Sequence, residues 1–340
     1  GVQSGNEASS GLYVRGGSPD QNLMVIDDVP LYYVNHLGGF VSTFNSDAIN
    51  SMKLIKGGFP ARYGSRLSSV LDIRMKEGNL REQHGNFMIG MIASKFMLEG
   101  PIKTDTTSYL ISVRRLMYDL ITRPLTYLTS SGVSVGYTFY DFNVKLNHYF
   151  SPDDRIYFSM YSGDDKILTK NKSGEDVNKM ALKWGNILGS FRWNHIYGDR
   201  LFSNLTIYST KYRLDNRFNY TMKSDDMNEE SSFRYWSGIV DVTGKIDFEY
   251  NVNRSYTIKY GGAGILHFFN PNSVSFNTID DSTETPSSQG SQTQKGFESG
   301  VYIENEISVG NRLFTNIGFR LSNYQTSNKN YFSAEPRVLS

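Results

Sequence analysis

Cysteine is absent from the 340 residues, which excludes disulfide scaffolds, thiolate metal sites and cysteine nucleophiles. Long apolar runs are absent too, and nothing approaches the roughly 20 apolar residues of a membrane-spanning helix. No signal peptide opens the chain, whose first residues Gly1-Val2-Gln3-Ser4 read as mid-domain sequence. Neither sign of charge is in excess. The 35 Lys and Arg residues nearly balance 34 Asp and Glu, leaving a formal net charge of +1; the basic footprint of a nucleic-acid binder is missing. The five histidines, His36, His84, His148, His195 and His267, include no pair at the i, i+4 spacing of a helical zinc site. Gly57-Gly58 and Gly261-Gly262-Ala263-Gly264 are not followed by the Gly-Lys-Ser/Thr ending of a phosphate loop. Asp27-Asp28 reads as two strand neighbours on opposite faces, unable to share one substrate. No catalytic residue, metal site or cofactor is expected, and the chain is not read as an enzyme.

Aromatic residues, by contrast, are plentiful at 14%, with 23 Tyr and 21 Phe, while hydrophobic residues make up only 39% and mean hydropathy is −0.42. A chain so polar and yet so aromatic fits a transmembrane β-barrel, apolar only on alternate residues and ringed by aromatic girdles. From about residue 83 the sequence has long segments of period two, the primary strand signal. Phe142, Val144 and Leu146 alternate with Asp141, Asn143, Lys145 and Asn147. Val240, Val242, Ile246 and Phe248 alternate with Asp241, Thr243, Lys245 and Asp247. Val301, Ile303, Ile307 and Val309 alternate with Tyr302, Glu304, Glu306 and Ser308, and Leu313, Ile317, Phe319 and Leu321 do the same against polar partners. Two faces so different need two solvents. Short turns are expected near 101–105, 151–154, 198–200, 251–254 and 310–312, and long polar loops near 117–135, 163–178, 213–232 and 269–296. That asymmetry is the layout of an outer-membrane barrel. Ten strands are predicted, starting near 84, 106, 138, 155, 179, 200, 233, 255, 297 and 312, with an eleventh beginning near 331.

Residues 1 to about 80 differ in texture: short mixed elements, with an extended segment at Leu12-Tyr13-Val14-Arg15 closed by Gly16-Gly17, and a strand from Leu23 to Val29 ended by Pro30. Leu12-Tyr13-Val14-Arg15-Gly16-Gly17-Ser18 and Val25-Ile26-Asp27-Asp28-Val29-Pro30 resemble the plug domain of TonB-dependent outer-membrane receptors. Asp28 stands where that family usually has glycine, so a local difference in the turn is expected. Met52-Lys53-Leu54-Ile55-Lys56-Gly57-Gly58-Phe59-Pro60-Ala61-Arg62-Tyr63-Gly64 is similar to the end of the same plug. Ser299-Gly300-Val301-Tyr302-Ile303-Glu304-Asn305-Glu306 resembles a recurrent barrel hairpin of that family. The phrasing looks most like the Bacteroidetes-type branch.

The resemblance implies a 22-strand antiparallel barrel holding a small α+β plug. On that reading 1–80 is the C-terminal part of the plug domain, 81–340 is the N-terminal portion of the barrel, and the chain is a fragment. It implies an integral barrel in the Gram-negative outer membrane that actively imports a scarce solute, with TonB and its inner-membrane energising complex displacing the plug. The alternative is a non-transporting barrel-and-plug subunit of a larger outer-membrane assembly. A surface lipoprotein and outer-membrane lipid are the further partners expected. In family members charge pairs lock the plug, so Arg15, Arg62 and Arg66, with Arg74, are the candidate plug cations. Glu304 and Glu306, on the lumen-facing side of their strand, are the candidate acceptors. Tyr32, Tyr33, Asn35 and His36 mix aromatic and hydrogen-bonding groups as a sugar, peptide or chelate would require, and are expected at the plug's outer face.

Overall fold

A computed structural model describes residues 2–4, 12–14, 21–32, 35–36, 41–42, 45–56, 59–64, 68–90, 93–130, 132–224, 227–280, 283–290, 292–310 and 313–339. The N-terminal part begins with an antiparallel pair, β1 (Val2–Ser4) and β2 (Leu12–Val14). Strands β3 (Asn22–Ile26) and β4 (Val29–Leu31) form a hairpin, β5 (Asn35–His36) pairs with β6 (Val41–Ser42), and β7 (Ile49–Lys56) and β8 (Ser69–Met75) complete the plug. A four-stranded sheet runs β4-β3-β8-β7, with β3 and β8 parallel. Near-continuous apolar runs suit such a central pair, covered on both faces; Val25 and Ile26 are 3% exposed, and Val70 and Ile73 wholly buried. Asp27 and Asp28 form the two-residue turn between β3 and β4, at φ 48° and 70°. Positive φ at both positions is the type I′ geometry that matches strand twist, and Asp tolerates it better than most side chains. The expected strand through Asp27-Asp28 is therefore corrected: the pair sits in a turn.

The rest of the chain is one antiparallel meander. It comprises β9 (His84–Ile89), β10 (Ala93–Lys103), β11 (Thr107–Leu116), β12 (Val133–Tyr149), β13 (Asp154–Ser173), β14 (Asp176–Ile196), β15 (Leu201–Ser224), β16 (Met227–Asn253), β17 (Tyr256–Asp280), β18 (Thr283–Gly290), β19 (Gln294–Val309), β20 (Leu313–Thr326) and β21 (Asn330–Leu339). Each strand pairs with its sequence neighbour, except that β18 joins only the far end of β17, which otherwise pairs with β19. The sheet is a barrel wall that does not close: β9 and β21 are its two edges. The strand expected near residue 84 is in fact two, β9 and β10, paired antiparallel, with the Gly90 N–H donating to the Ala93 carbonyl.

Three of the four expected loops are strand. Residues 163–173 extend β13, 213–224 extend β15, and 269–280 extend β17, while β16 reaches 27 residues. Spanning the bilayer takes only about 9–11 residues, so these hairpins run far past it. Their polarity imitates a loop because both faces meet water. Only 117–135 has a different insert, the helix α1 (Asp119–Thr129). No helix among the described residues is long and apolar enough to cross a membrane.

The wall is polar inside and apolar outside. Asp141, Asn143, Lys145 and Asn147 are at most 5% exposed, whereas Leu146, one residue out of phase, is 38% exposed. Glu304 is fully buried beside Ile303 at 45%. The polar face is buried because the plug lies against it. Ile26, Val29, Leu31, Ala48 and Met75 of the plug share one small apolar cluster with Met97, Leu110, Tyr161, Leu188 and Tyr208 of five wall strands.

Candidate functional site

Around that cluster the plug meets the wall through charge, and the polarity is mostly the reverse of the expected one. Acids stand on the plug and cations on the wall. The β3–β4 turn carries two of these acids. Lys145 on β12 lies 3.0 Å from Asp27 and also donates to the Met75 carbonyl at 3.2 Å. Arg192 on β14 reaches Asp28 at 2.8 Å and donates to the Asp27 carbonyl oxygen. From within the plug, Arg74 forms a two-pronged pair with the Asp28 carboxylate at 2.6 and 2.8 Å. Burial by itself would raise the Asp28 pKa, but Arg192, Lys245 and Arg74 win and hold it far below the usual carboxylate range. Lower in the wall, Arg155 pairs with Glu77 and stacks over Tyr149 and Tyr157. On the other flank Lys95 lies 3.5 Å from Asp47. Asn45, which caps the short 3₁₀ turn Ser46–Ala48, donates to Ser112 at 2.7 Å.

His36 lies in this interface and not on a ligand-facing surface. Its Nδ1 is 2.7 Å from Asp165 and its Nε2 2.9 Å from Asp141, both on the wall, and its ring stacks on Phe139. Only 1% of the residue is exposed. Burial opposes the charged ring, but hydrogen bonds to Asp141 and Asp165 and their charges outweigh it and raise the pKa. Arg114 holds the far oxygen of Asp141, Tyr161 donates to that residue, and Tyr137 donates to Asp165.

Of the expected lock residues, Glu304 accepts the backbone N–H of Arg62 at 2.5 Å. The Arg62 guanidinium makes no ion pair within 4.0 Å among the described residues, but stays near enough for Tyr63 and Glu304 to overcome the cost of its burial and raise its pKa. Glu306 pairs with Lys259 of the neighbouring strand at 2.9 Å, not with a plug arginine. Arg337 on β21 grips the same plug loop, donating to the carbonyls of Pro60 at 2.9 Å and Tyr63 at 2.5 Å. Arg15, Arg66 and Tyr33 lie outside the described residues, as does the Asn35 side chain. Tyr32 donates to Asp241 of β16 and lines a cavity of about 140 Å³ between plug and wall. His267 and Glu298 complete its far side; His267 Nδ1 is 2.7 Å from Asp241 and Nε2 3.6 Å from Glu298. No cluster of three metal-ligating side chains occurs among the described residues.

Lys145, Arg155, Arg192, Asp165 and Arg337 were missed as interface residues. The signal was present for Lys145 and Asp141, whose alternation marks them as lumen-facing, but nothing in one sequence says which lumen charge meets which plug charge.

Residues 1–69 match the model of the TonB-dependent receptor plug domain. No curated protein is significantly similar to the chain. Among solved structures, the pyoverdine-bound outer-membrane receptor FpvA of Pseudomonas aeruginosa superposes with a TM-score of 0.66 at 12% identity, over 99% of this chain and 50% of its own. YddB of Escherichia coli, an outer-membrane transporter, gives 0.63 at 9% identity, over 99% and 53%. The siderophore receptor PiuA of Acinetobacter baumannii gives 0.57 at 11%, over 99% and 56%. The chain thus spans about half the length of the structures it matches, and at such identities the likeness concerns fold. Residues 1–69 thus carry the sequence of the TonB-dependent receptor plug domain, and the chain as a whole shares the plug-and-barrel fold of the outer-membrane receptors on which it superposes.

Proposed function

We propose that the protein imports a solute across the outer membrane, with the plug (1–80) pulled by TonB away from the wall (81–340). The observation carrying this reading is the ring of plug–wall ion pairs centred on Asp27, Asp28 and His36. A permanent seal is best made of apolar packing, whereas buried ion pairs regain hydration as the plug withdraws, which offsets the loss of their partners. The apolar cluster between plug and wall is small by comparison. Short turns then face the periplasm and the long hairpins the exterior. The cavity at Tyr32, between plug and wall, belongs to the solute path. The linked plug boxes favour the Bacteroidetes-type branch, in which a surface lipoprotein partner is part of the proposal.

A crosslink between plug and wall tests this reading. An ideal Cβ built on Gly318 stands 2.8 Å from the Ala61 Cβ, about 1 Å inside the roughly 3.8 Å of a disulfide, so the 59–64 loop must give by that much for the bond to form. In the full-length protein, Ala61→Cys with Gly318→Cys should tether plug to wall when oxidised. Growth conditions that need the protein are found by comparing a deletion strain with its parent. There, oxidation should stop growth and reductant restore it. Growth indifferent to a confirmed tether would refute import by plug displacement.

A further inference from the structure

The outward face of the wall changes character along four neighbouring strands. Toward the short turns it is apolar: Phe158, Phe191, Ile207 and Val242, on β13 to β16, are each at least 41% exposed. Farther out the same face is cationic. Lys166 stands directly opposite Lys183 and Lys170 opposite Lys179, while Arg217 stands opposite Arg234. Lys211 and Arg213 extend the patch downward on β15. Asp164 and Asp215 stand among these cations and both are already engaged, while Glu230, on the same face of β16, stands two rows beyond Arg234. Asp164 is held by Arg213 at 2.5 Å and Lys183 at 3.5 Å, and Asp215 by Arg217 at 2.9 Å and Arg234 at 2.6 Å. Lys166, Lys170 and Lys179 are exposed and make no ion pair within 4.0 Å among the described residues.

Like charges directly opposite on a sheet are destabilising. Three such pairs stacked on one face are tolerable in salt water, but become favourable only beneath a layer of anions. The height of the patch says which layer. At about 3.3 Å per residue and a tilt of about 40°, each two-residue row climbs roughly 5 Å, so the ~25 Å apolar band is used up about five rows above the short turns. Counting from Asp154 beside its turn, five rows end at Asp164, immediately below the Lys166–Lys183 pair. The paired cations, from Lys166–Lys183 outward, therefore stand where lipid tails give way to headgroups, and Lys211, one row below Asp164, has a side chain long enough to reach the same level. We propose that this face of β13–β16 binds the phosphorylated headgroups of outer-leaflet lipids. The inference rests on the barrel's place in the membrane and not on import.

The test uses the full-length protein in nanodiscs of phosphatidylcholine doped with monophosphoryl lipid A, counting retained lipid by native mass spectrometry. Wild type should retain lipid A, and retention should fall as salt rises. A variant with Lys166→Gln, Lys183→Gln, Arg217→Gln and Arg234→Gln should retain at least about tenfold less. Lys166→Arg with Lys183→Arg should keep wild-type retention, separating loss of charge from loss of fold. Retention that ignores salt in wild type, or survives the four Gln substitutions, overturns the proposal. So does thermal protection by inorganic phosphate equal to that by lipid A, which would make the patch a site for free anions.

Discussion

The ammonium of Lys145 lies 3.0 Å from the carboxylate of Asp27, and the two side chains are only 6% and 4% exposed. One belongs to the wall and the other to the plug. Their attraction is therefore lost only when the plug leaves.

Removing one partner of such a pair strands a buried charge, at a cost of about 3–5 kcal/mol. Lys145→Met should lower the urea concentration at which the plug detaches, read as the onset of large conductance in planar bilayers. Adding Asp27→Asn should recover a good part of that loss, since the stranded charge is gone. Independent, additive effects of the two substitutions would show that the pair is not coupled.

The His36 contact predicts a pH dependence. Its pKa is raised on docking, so docking binds a proton, and the stabilisation is whole below about pH 6.5, the ordinary value. It is lost as pH climbs through the raised value. Plug detachment should become easier on the alkaline side and change little below pH 6. In His36→Gln the alkaline weakening should shrink. A wild type and variant with the same pH profile would remove His36 from the account.

Asp28 sits in the β3–β4 turn, and its φ of 70° costs about 1–2 kcal/mol for a residue with a side chain. Asp28→Gly relieves that strain but releases Arg74 and Arg192, each a charge-assisted contact worth about 1.5–3 kcal/mol. The balance should be a loosened plug, with faster proteolysis of the 21–76 segment. Greater protease resistance in the Asp28→Gly variant would mean that the strain, and not the clamp, dominates.

Gly318 allows the plug loop to approach. A side chain there meets Ala61 and the Glu304 side chain, so Gly318→Val should push the 59–64 loop off the wall. The expected phenotype is a folded barrel with raised small-solute leakage. Unchanged leakage would show that the loop is not part of the seal.

The barrel was legible because period two survives any tertiary detail: Asp141 to Asn147 declare a polar face, and a polar face that is buried needs a filled lumen. The plug was legible from linked boxes such as Val25-Ile26-Asp27-Asp28-Val29-Pro30. The extended hairpins were not, because β15 beyond Arg213 mixes Asp215, Asn216, Arg217, Asn219 and Thr221 among its apolar residues, and so polar a stretch has the composition of a loop. Nor was the pairing at the interface. Glu306 has the right face and the right charge, yet Lys259 on the adjacent strand is simply nearer. Local pattern fixes which way a side chain points, whereas partner choice depends on how two separately folded surfaces fall into register.

The length of β15 and β16 carries one more consequence. Twenty-four residues at about 3.3 Å each and a tilt near 40° climb roughly 60 Å, some 35 Å of which stands clear of the hydrocarbon band. Ladder pairing continues to Ser224 and Met227 at the tip, so the rim is a stiff paddle held away from the cell surface. A visitor, whether solute, phage or antibody, meets a shape already decided. Little ordering entropy remains to be lost on contact, and recognition there will be governed by fit and charge, with fast capture at a distance from the crowded membrane plane.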